Sequence, residues 1–450
     1  MNSPATRLRH RTAKPRRSWG QVLAFVLVAA LGVPVGYGLS VYVLLQDALS
    51  EAETFDANAF LDEAYVRPSQ AVDPSPGGPD DALEGGAINI LLLGSDVRTG
   101  QNGDIGGRVA GGMRNDTTII MHISADRKRV EMVSIPRDSK VRIPDCKLFD
   151  GSTARGWFGA FNIAFANGGR NGDPANAATC TIRAVEELTG IYIHYYAVID
   201  FYGFQQMVDS IGGVPMCVER RIYSTKAKLD LQAGPQILNG RQALGYARVR
   251  TAEEGVITGS DPERIERQQD LLAKIAETVL FKGILYKPDE LADFISAGTA
   301  QMTMSPELAD INFLIGLAYS LRDIEKENIV FTTVPWKYRG NKEPSPGGLD
   351  WTSSAQTLFK NIINDRPISG KSVASTSHLD EPEPSPSPSP SPSPSPSVSV
   401  SPTVSPTTVP GLQGRSGISR SDYQLLVAPS PSPSNEPEPD LFALLGNCNV

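Results

Sequence analysis

Between Val22 and Leu45 the chain runs 24 residues without a charge, directly after a stretch that carries Arg7, Arg9, Arg11, Lys14, Arg16 and Arg17 and no acid. About 20 apolar residues suffice to cross a bilayer as a helix. A cleaved signal peptide would have an apolar region of only about 7 to 15 residues, so an uncleaved anchor is the better reading, although Ala48-Leu49-Ser50 leaves cleavage open. The basic flank stays in the cytoplasm, which puts everything after about residue 46 outside. Residues 1–21 thus read as a basic cytoplasmic segment and 22–45 as the transmembrane helix of a single-pass protein of the cytoplasmic membrane. Any large fold must form from the chain beyond that helix.

Residues 46–86 read as an extracytoplasmic stem and linker: an acidic stretch with apolar positions at Phe55, Ala59 and Phe60, then a turn-rich run from Pro68. The segment 371–450 is low in complexity, with an unbroken Ser-Pro alternation from Ser385 to Ser397, and cannot build a core. Its proline content favours extended stretches, as in a spacer through a cell wall. That leaves 87–370, enough chain for one large α/β domain. The net charge of −8 lies on the outer side and argues against nucleic acid as a partner.

Within 87–370, strand and helix signals alternate. Ile88–Leu93, Thr117–Ile123, Arg129–Ile135, Ile191–Ile199, Ala243–Arg250 and Asn328–Val334 are short and rich in β-branched or aromatic residues. Ala178, Ile182, Val185 and Leu188 share a helical face, as do Phe204, Met207, Val208 and Ile211, and Asp261 through Phe281 reads as a longer helix. The expected fold is a mixed β-sheet flanked by helices on both faces.

Charged residues gather at the ends of these elements. Leu93-Gly94-Ser95-Asp96 puts a carboxylate at a strand's carboxyl end, where ligand crevices form in α/β sheets, with Arg98 two residues on. Arg114-Asn115-Asp116 repeats the pair at the mouth of the next strand, after a glycine-rich loop. Two carboxylates in oxygen-only surroundings suit a hard cation such as Mg²⁺, or Mn²⁺ in its place, so Asp96 and Asp116 are the candidate metal ligands. Pro136-Arg137-Asp138 sets a guanidinium just past a strand, and arginine's planar fork matches phosphate. Arg248 and Arg250, read on a strand, point to one face and would repel unless an anion lay between them. Asp261 fits a helix N-cap and Pro262 the first helical position, while Arg264, Arg267, Gln268 and Gln269 crowd the first two turns. Cations there oppose the helix dipole, and a bound anion would account for them. Each segment alone is also explained by a solvated turn, a surface ion pair or a plain capped helix.

As an ordered set these segments resemble the LytR-CpsA-Psr family of cell-wall glycopolymer transferases, in its actinobacterial form. The resemblance runs from about residue 87 to 280. It includes Gly94-Ser95-Asp96-Val97-Arg98, Arg114-Asn115-Asp116-Thr117, Pro136-Arg137-Asp138-Ser139, Phe161-Asn162-Ile163-Ala164-Phe165-Ala166-Asn167-Gly168-Gly169, Leu238-Asn239-Gly240-Arg241-Gln242-Ala243-Leu244 and the run from Arg248-Val249-Arg250 to Arg264-Ile265-Glu266-Arg267-Gln268. Asn115 stands where serine is usual, and the loop from Thr99 to Gly112 is long for the family. The resemblance implies transfer of a glycopolymer from a polyprenyl-pyrophosphate carrier to a peptidoglycan hydroxyl. The catalytic set it implies is Arg98, Arg114, Arg137, Asp138, Arg248, Arg250, Asp261, Arg264 and Gln268. Arg267 and Asn162 would contact substrate, and Asp96 and Asp116 would hold Mg²⁺. Phe158, Phe161, Phe201, Phe204 and Met207 are candidate linings for an isoprenoid groove. Loss of Arg137, Arg248 or Arg264 should remove activity and spare the fold.

Other classes fit less well. A polyprenyl-pyrophosphate hydrolase or a non-catalytic polyprenyl-phosphate or glycan binder could use the same residues, whereas a transcriptional regulator would need a cytoplasmic domain. The four cysteines, all on the oxidising side, have no metal-site spacing. A Cys146–Cys180 bridge would close a loop of about 34 residues. Cys217 and Cys448 remain, and their pairing would tie the C-terminus back to the domain; otherwise Cys448 is free or joins another chain.

Overall fold

A central sheet of eight strands runs, edge to edge, through Glu53–Thr54, Thr303–Met304, Tyr195–Ile199, Ile88–Ser95, Asn115–Ile123, Val130–Ser134, Ile329–Thr333 and Lys371–Ser372. The structure is a computed structural model. It describes residues 39–40, 42–47, 49–50, 52–69, 86–96, 102, 105, 113–255, 257, 259–284, 287–299, 302–341, 347–374, 440–445 and 448. All but Asp440 belong to one unit, Met1–Asp380 with Leu441–Val450. The basic segment 1–21, the uncharged run as far as Gly38, Arg98 and the Ser-Pro segment 375–439 lie outside the described residues, among which no helix is long and apolar enough to cross a membrane.

The sheet is mixed. Ile88–Ser95 is parallel to Tyr195–Ile199 and antiparallel to Asn115–Ile123, which is antiparallel to Val130–Ser134; that strand is parallel to Ile329–Thr333. Both faces are buried, which explains why Ile88–Leu93 is a continuous apolar run rather than an alternating one. Leu91, Leu93, Ile120 and Val133 pack on one face against Ala178, Ile182 and Val185 of helix Pro174–Thr189 and against Phe359 and Ile362 of helix Ser353–Ile363. Ile119, Met132 and Phe331 pack on the other with Ala273 of helix Asp261–Lys282. Helices Phe201–Ser210 and Gly240–Arg248 enclose a separate core with the hairpin Val214–Val218/Gly234–Leu238.

Several expectations need correcting. Ala243–Arg250 is not a strand: Gly240–Arg248 is helical, started by a reciprocal cap in which Asn239 accepts from the Gln242 N–H and Gln242 accepts from the Asn239 N–H. A short apolar run reads alike for strand and helix, and here the cap decides it. Strand Tyr195–Ile199 begins four residues later than expected, because Ile191 and Ile193 pack into the core outside the sheet. Ser260, not Asp261, caps the long helix, with Asp261 its first residue. Part of the stem belongs to the domain, since Glu53–Thr54 pairs with the sheet edge and Leu61 of helix Ala57–Ala64 is fully buried. The far boundary also moves, because Lys371–Ser372 forms the other edge strand. Cys146 is bonded to Cys180 and Cys217 to Cys448, so the chain returns to the domain at its C-terminus.

Candidate active site

The antiparallel pairing of Ile88–Ser95 with Asn115–Ile123 puts the end of one strand beside the start of the other, with Ser95 opposite Asn115. Asp96 and Asp116 therefore reach the same edge of the sheet although 20 residues separate them in sequence. A register shift between Gly94 and Ser95 bends the ladder there. Gly94 leaves room there for the Thr117 side chain, whose Cβ would lie 3.1 Å from a Cβ at position 94. Backbone bonds then close the mouth: the Asp96 N–H donates to Arg114 O at 2.9 Å, and the Arg114 N–H donates to Asp96 Oδ1 at 2.6 Å.

Val130–Ser134 ends at the same edge, and Pro136 turns the chain so that Arg137 leans over Asp116. Its Nη1 donates to Asp116 Oδ1 at 2.5 Å, and Arg250 Nη2 donates to the same oxygen at 3.1 Å. Asp116 thus lies between Arg137 and Arg250, not between Arg248 and Arg250 where the sequence suggests an anion. Burial pushes the Asp116 carboxyl up, but the charges of Arg137, Arg250 and Arg264 outweigh it and hold the group below the ordinary carboxylate range.

Asp261 extends the network. Its Oδ1 accepts from Arg264 Nη2 and lies 3.7 Å from Arg137 Nε, while its Oδ2 accepts from the Asp138 N–H at 3.3 Å. Burial raises the Asp261 carboxyl, with Arg264 opposing, and burial lowers the Arg264 guanidinium, with Asp261 opposing. Arg264 is only 2% exposed, so it props this cluster from beneath. Asp138 has the opposite character: its side chain is 40% exposed, and Arg137 Nε is 3.5 Å away.

Not every expected site residue turns toward this cluster. Arg267 donates to Glu263 at 2.6 Å and to Val249 O at 2.7 Å, and Gln268 donates to Ala247 O at 3.1 Å. These two hold the end of helix Gly240–Arg248, and so aim Arg248 and Arg250. Arg248 and Arg250 do not share a strand face; Arg248 closes the helix with its guanidinium 3.8 Å over the Phe201 ring, and Arg250 lies beyond the cap. Asn162 meets the site through its backbone, donating to Arg137 O at 3.2 Å. The five apolar residues do not form one groove: Phe161 is in the main core, Phe204 packs on the smaller one, and Phe158 is exposed. Gln269, which the sequence groups with the residues an anion would draw, turns the other way: its Nε2 donates to Ser134 Oγ, Thr332 O and Thr333 Oγ1, tying the long helix to two parallel strands beneath the site.

Asp96 and Asp116 offer oxygen donors only, and the arginines keep Asp116 ionised. Among the described residues no group of three or more His, Cys, Asp or Glu could hold a metal ion. That donor set fits Mg²⁺, which takes one or two carboxylates and completes its shell with water and phosphate oxygens. Without a nitrogen or sulfur donor it does not suit zinc or copper, whereas Mn²⁺ accepts the same oxygen ligands as Mg²⁺.

A family model described as the LytR_cpsA_psr family matches residues 52–361. The chain is 34% identical over 254 residues to the probable cell wall biosynthesis protein LcpB of Corynebacterium glutamicum, covering 55% of this chain and 54% of that protein. It is 26% identical over 327 residues to the polyisoprenyl-teichoic acid–peptidoglycan teichoic acid transferase TagT of Bacillus subtilis, covering 70% and 87%. The match spans about half the length of the corynebacterial relative. Among solved structures, the LytR-Csp2A-Psr enzyme from Actinomyces oris aligns at 18% identity and a TM-score of 0.43, over 61% of this chain and 89% of that one.

Proposed function

The chain belongs to the LytR_cpsA_psr family, and from that premise we propose that it is a membrane-anchored phosphotransferase that moves a glycopolymer from a polyprenyl-pyrophosphate carrier to a hydroxyl of peptidoglycan. Val22–Leu45 anchors it, with the N-terminus in the cytoplasm and the catalytic domain outside. The observation that carries this reading is the convergence of Arg137 and Arg250, from separate elements, on one oxygen of Asp116 at the sheet edge. Two guanidiniums held so close supply a fork for a pyrophosphate and spread the charge that develops on a transferred phosphoryl group.

The acceptor oxygen attacks the phosphorus proximal to the glycopolymer. A P–O bond forms to the acceptor, the P–O bond to the carrier's phosphate breaks, and polyprenyl phosphate leaves. Asp138 takes the hydroxyl proton. Asp116 is bound by Arg137 and Arg250 and Asp261 is buried against Arg264, whereas Asp138 is the most exposed of the three. Arg137 and Arg250 bind and orient the pyrophosphate, Arg114 and Arg248, with Arg98 as the family resemblance implies, are its further contacts, and Arg264, Arg267 and Gln268 hold the arginines in position. Asp96 and Asp116 would hold Mg²⁺, which supplies charge neutralisation to phosphate oxygens when bound.

Release of polyprenyl phosphate from a polyprenyl-pyrophosphate oligosaccharide, with and without peptidoglycan, tests this reading. Release that depends on peptidoglycan and leaves the sugar label in it is expected. Equal release without acceptor would make the protein a hydrolase, and binding with no release a carrier; either result overturns the proposal.

A further inference from the structure

Two residues beyond Asp138 a small sheet begins whose outer face is cationic. Strand Lys140–Arg142 pairs antiparallel with Phe158–Ala160, setting Arg142 opposite Phe158 and Lys140 opposite Ala160. On its other side Ser139 bridges to Leu349, and Leu349–Trp351 pairs with Trp336–Tyr338, setting Lys337 opposite Asp350. Side chains alternate along strands. Ser139, Val141, Leu349 and Trp351 fall on the inner face: Val141 and Leu349 are buried, and Trp351 Nε1 donates to Ser139 Oγ at 2.9 Å. Lys140, Arg142, Phe158, Lys337 and Asp350 must then fall on the other face. Arg339 comes next, its guanidinium 4.8 Å over the Phe158 ring.

Asp350 is the one acid in these strands on that face, and it lies 3.9 Å from Arg339. Among the described residues Lys140, Arg142 and Lys337 have no ion-pair partner. On a chain of net charge −8, neighbouring cations without partners mark a surface built to meet negative charge. Phe158, 52% exposed among them, offers an apolar ring face against which a sugar ring can lie.

We propose that this face receives the acceptor: a glycan strand whose attached peptides carry carboxylates. The inference rests on the transferase reading above, and it commits to acceptor rather than donor because of where the face joins the site. Asp138, the carboxylate that takes the acceptor's proton, lies between donor-binding Arg137 and Lys140. Its carbonyl accepts from the Leu349 N–H at 3.2 Å, so face and base are one rigid piece. A strand bound across Phe158 and the cations would bring its hydroxyls to Asp138.

The test uses the full chain in detergent and three probes: isolated peptidoglycan, peptidoglycan with its carboxylates amidated, and vesicles of anionic phospholipid. Arg142→Glu combined with Lys337→Glu should weaken binding to native peptidoglycan and raise the acceptor KM by roughly tenfold, with the donor KM unchanged. Phe158→Ala should act in the same direction. If charge reversal disturbs folding, Arg142→Gln with Lys337→Gln gives the smaller form of the same effect. Amidated peptidoglycan should bind the wild type and the charge variants equally, and added salt should erase the difference on native material. An unchanged acceptor KM overturns the proposal, as does a change confined to the donor KM or to vesicle binding. A wild-type protein that releases no polyprenyl phosphate would instead fail the transferase reading, while peptidoglycan binding would still report on the face.

Discussion

Arg137→Lys separates the geometry of the site from its charge. In the wild type the fork reaches three carboxylates at once: Nη1 is 2.5 Å from Asp116, and Nε is 3.5 Å from Asp138 and 3.7 Å from Asp261. A lysine keeps the positive charge beside Asp116 but has one nitrogen in place of the fork, so it can hold Asp116 or a phosphate oxygen in good geometry and not both. Losing one charge-assisted hydrogen bond costs about 1.5–3 kcal/mol, so kcat/KM should fall between about 10-fold and 150-fold. Arg137→Ala removes the charge as well, and at an effective dielectric near 20 a cation about 4 Å from a phosphate charge is worth about 4 kcal/mol, so the loss approaches about 1000-fold. Both variants should unfold near the wild-type temperature, because the side chain lies at the rim of the core. Initial rates of polyprenyl phosphate release, with circular dichroism melts in parallel, measure both quantities. If Arg137→Lys turned over within threefold of wild type, the bidentate role would be wrong, whatever Arg137→Ala did. Arg264→Ala is a different experiment from the one its sequence position suggested. Arg264 is buried against Asp261, and its removal leaves an uncompensated carboxylate that costs about 3–5 kcal/mol. Loss of fold should accompany loss of activity there.

Three further outcomes are expected. Asp116→Asn should lower activity by about 100-fold or more and blunt its dependence on added Mg²⁺, and wild-type activity undiminished by excess chelator would remove the metal from the reading. His194 accepts at Nδ1 from the Asn89 N–H at 3.0 Å, and burial, with the charge of Arg67 adding, pushes its imidazole down to about 4. As pH falls from about 6.5 toward 4 the unfolded chain binds a proton that the folded chain refuses, so up to about 3 kcal/mol of stability is lost in that window; His194→Gln should flatten the denaturant-midpoint profile there, and an unaltered profile would clear His194 of the effect. Peptide mapping without reductant should recover Cys146 joined to Cys180 and Cys217 joined to Cys448, and serine at both Cys217 and Cys448 should cost about 2–4 kcal/mol; a free thiol at Cys448 in exported protein would contradict the second bridge.

The sequence by itself determined what local chemistry controls. The buried strand was legible over Ile88–Leu93 because both its faces are apolar, although it continues through Gly94 and Ser95, and helix Pro174–Thr189 was legible because Ala178, Ile182, Val185 and Leu188 recur at helical spacing. The carboxylates and arginines of the site were visible for the same reason: each stands at the end of an element whose limits short-range signals set. Tertiary structure decided which of them meet. Asp116 and Arg250 are 134 residues apart and share a hydrogen bond only because an antiparallel strand pair and a helix cap deliver them to one sheet edge. The Ala243–Arg250 run failed as a strand because its period is ambiguous and the Asn239 cap outweighs β propensity. The division of labour among the arginines was equally hidden. A partly exposed guanidinium over Asp116 and one that props a neighbouring loop have the same formula, and only burial and partners, which depend on the whole fold, distinguish Arg137 from Arg264 and Arg267.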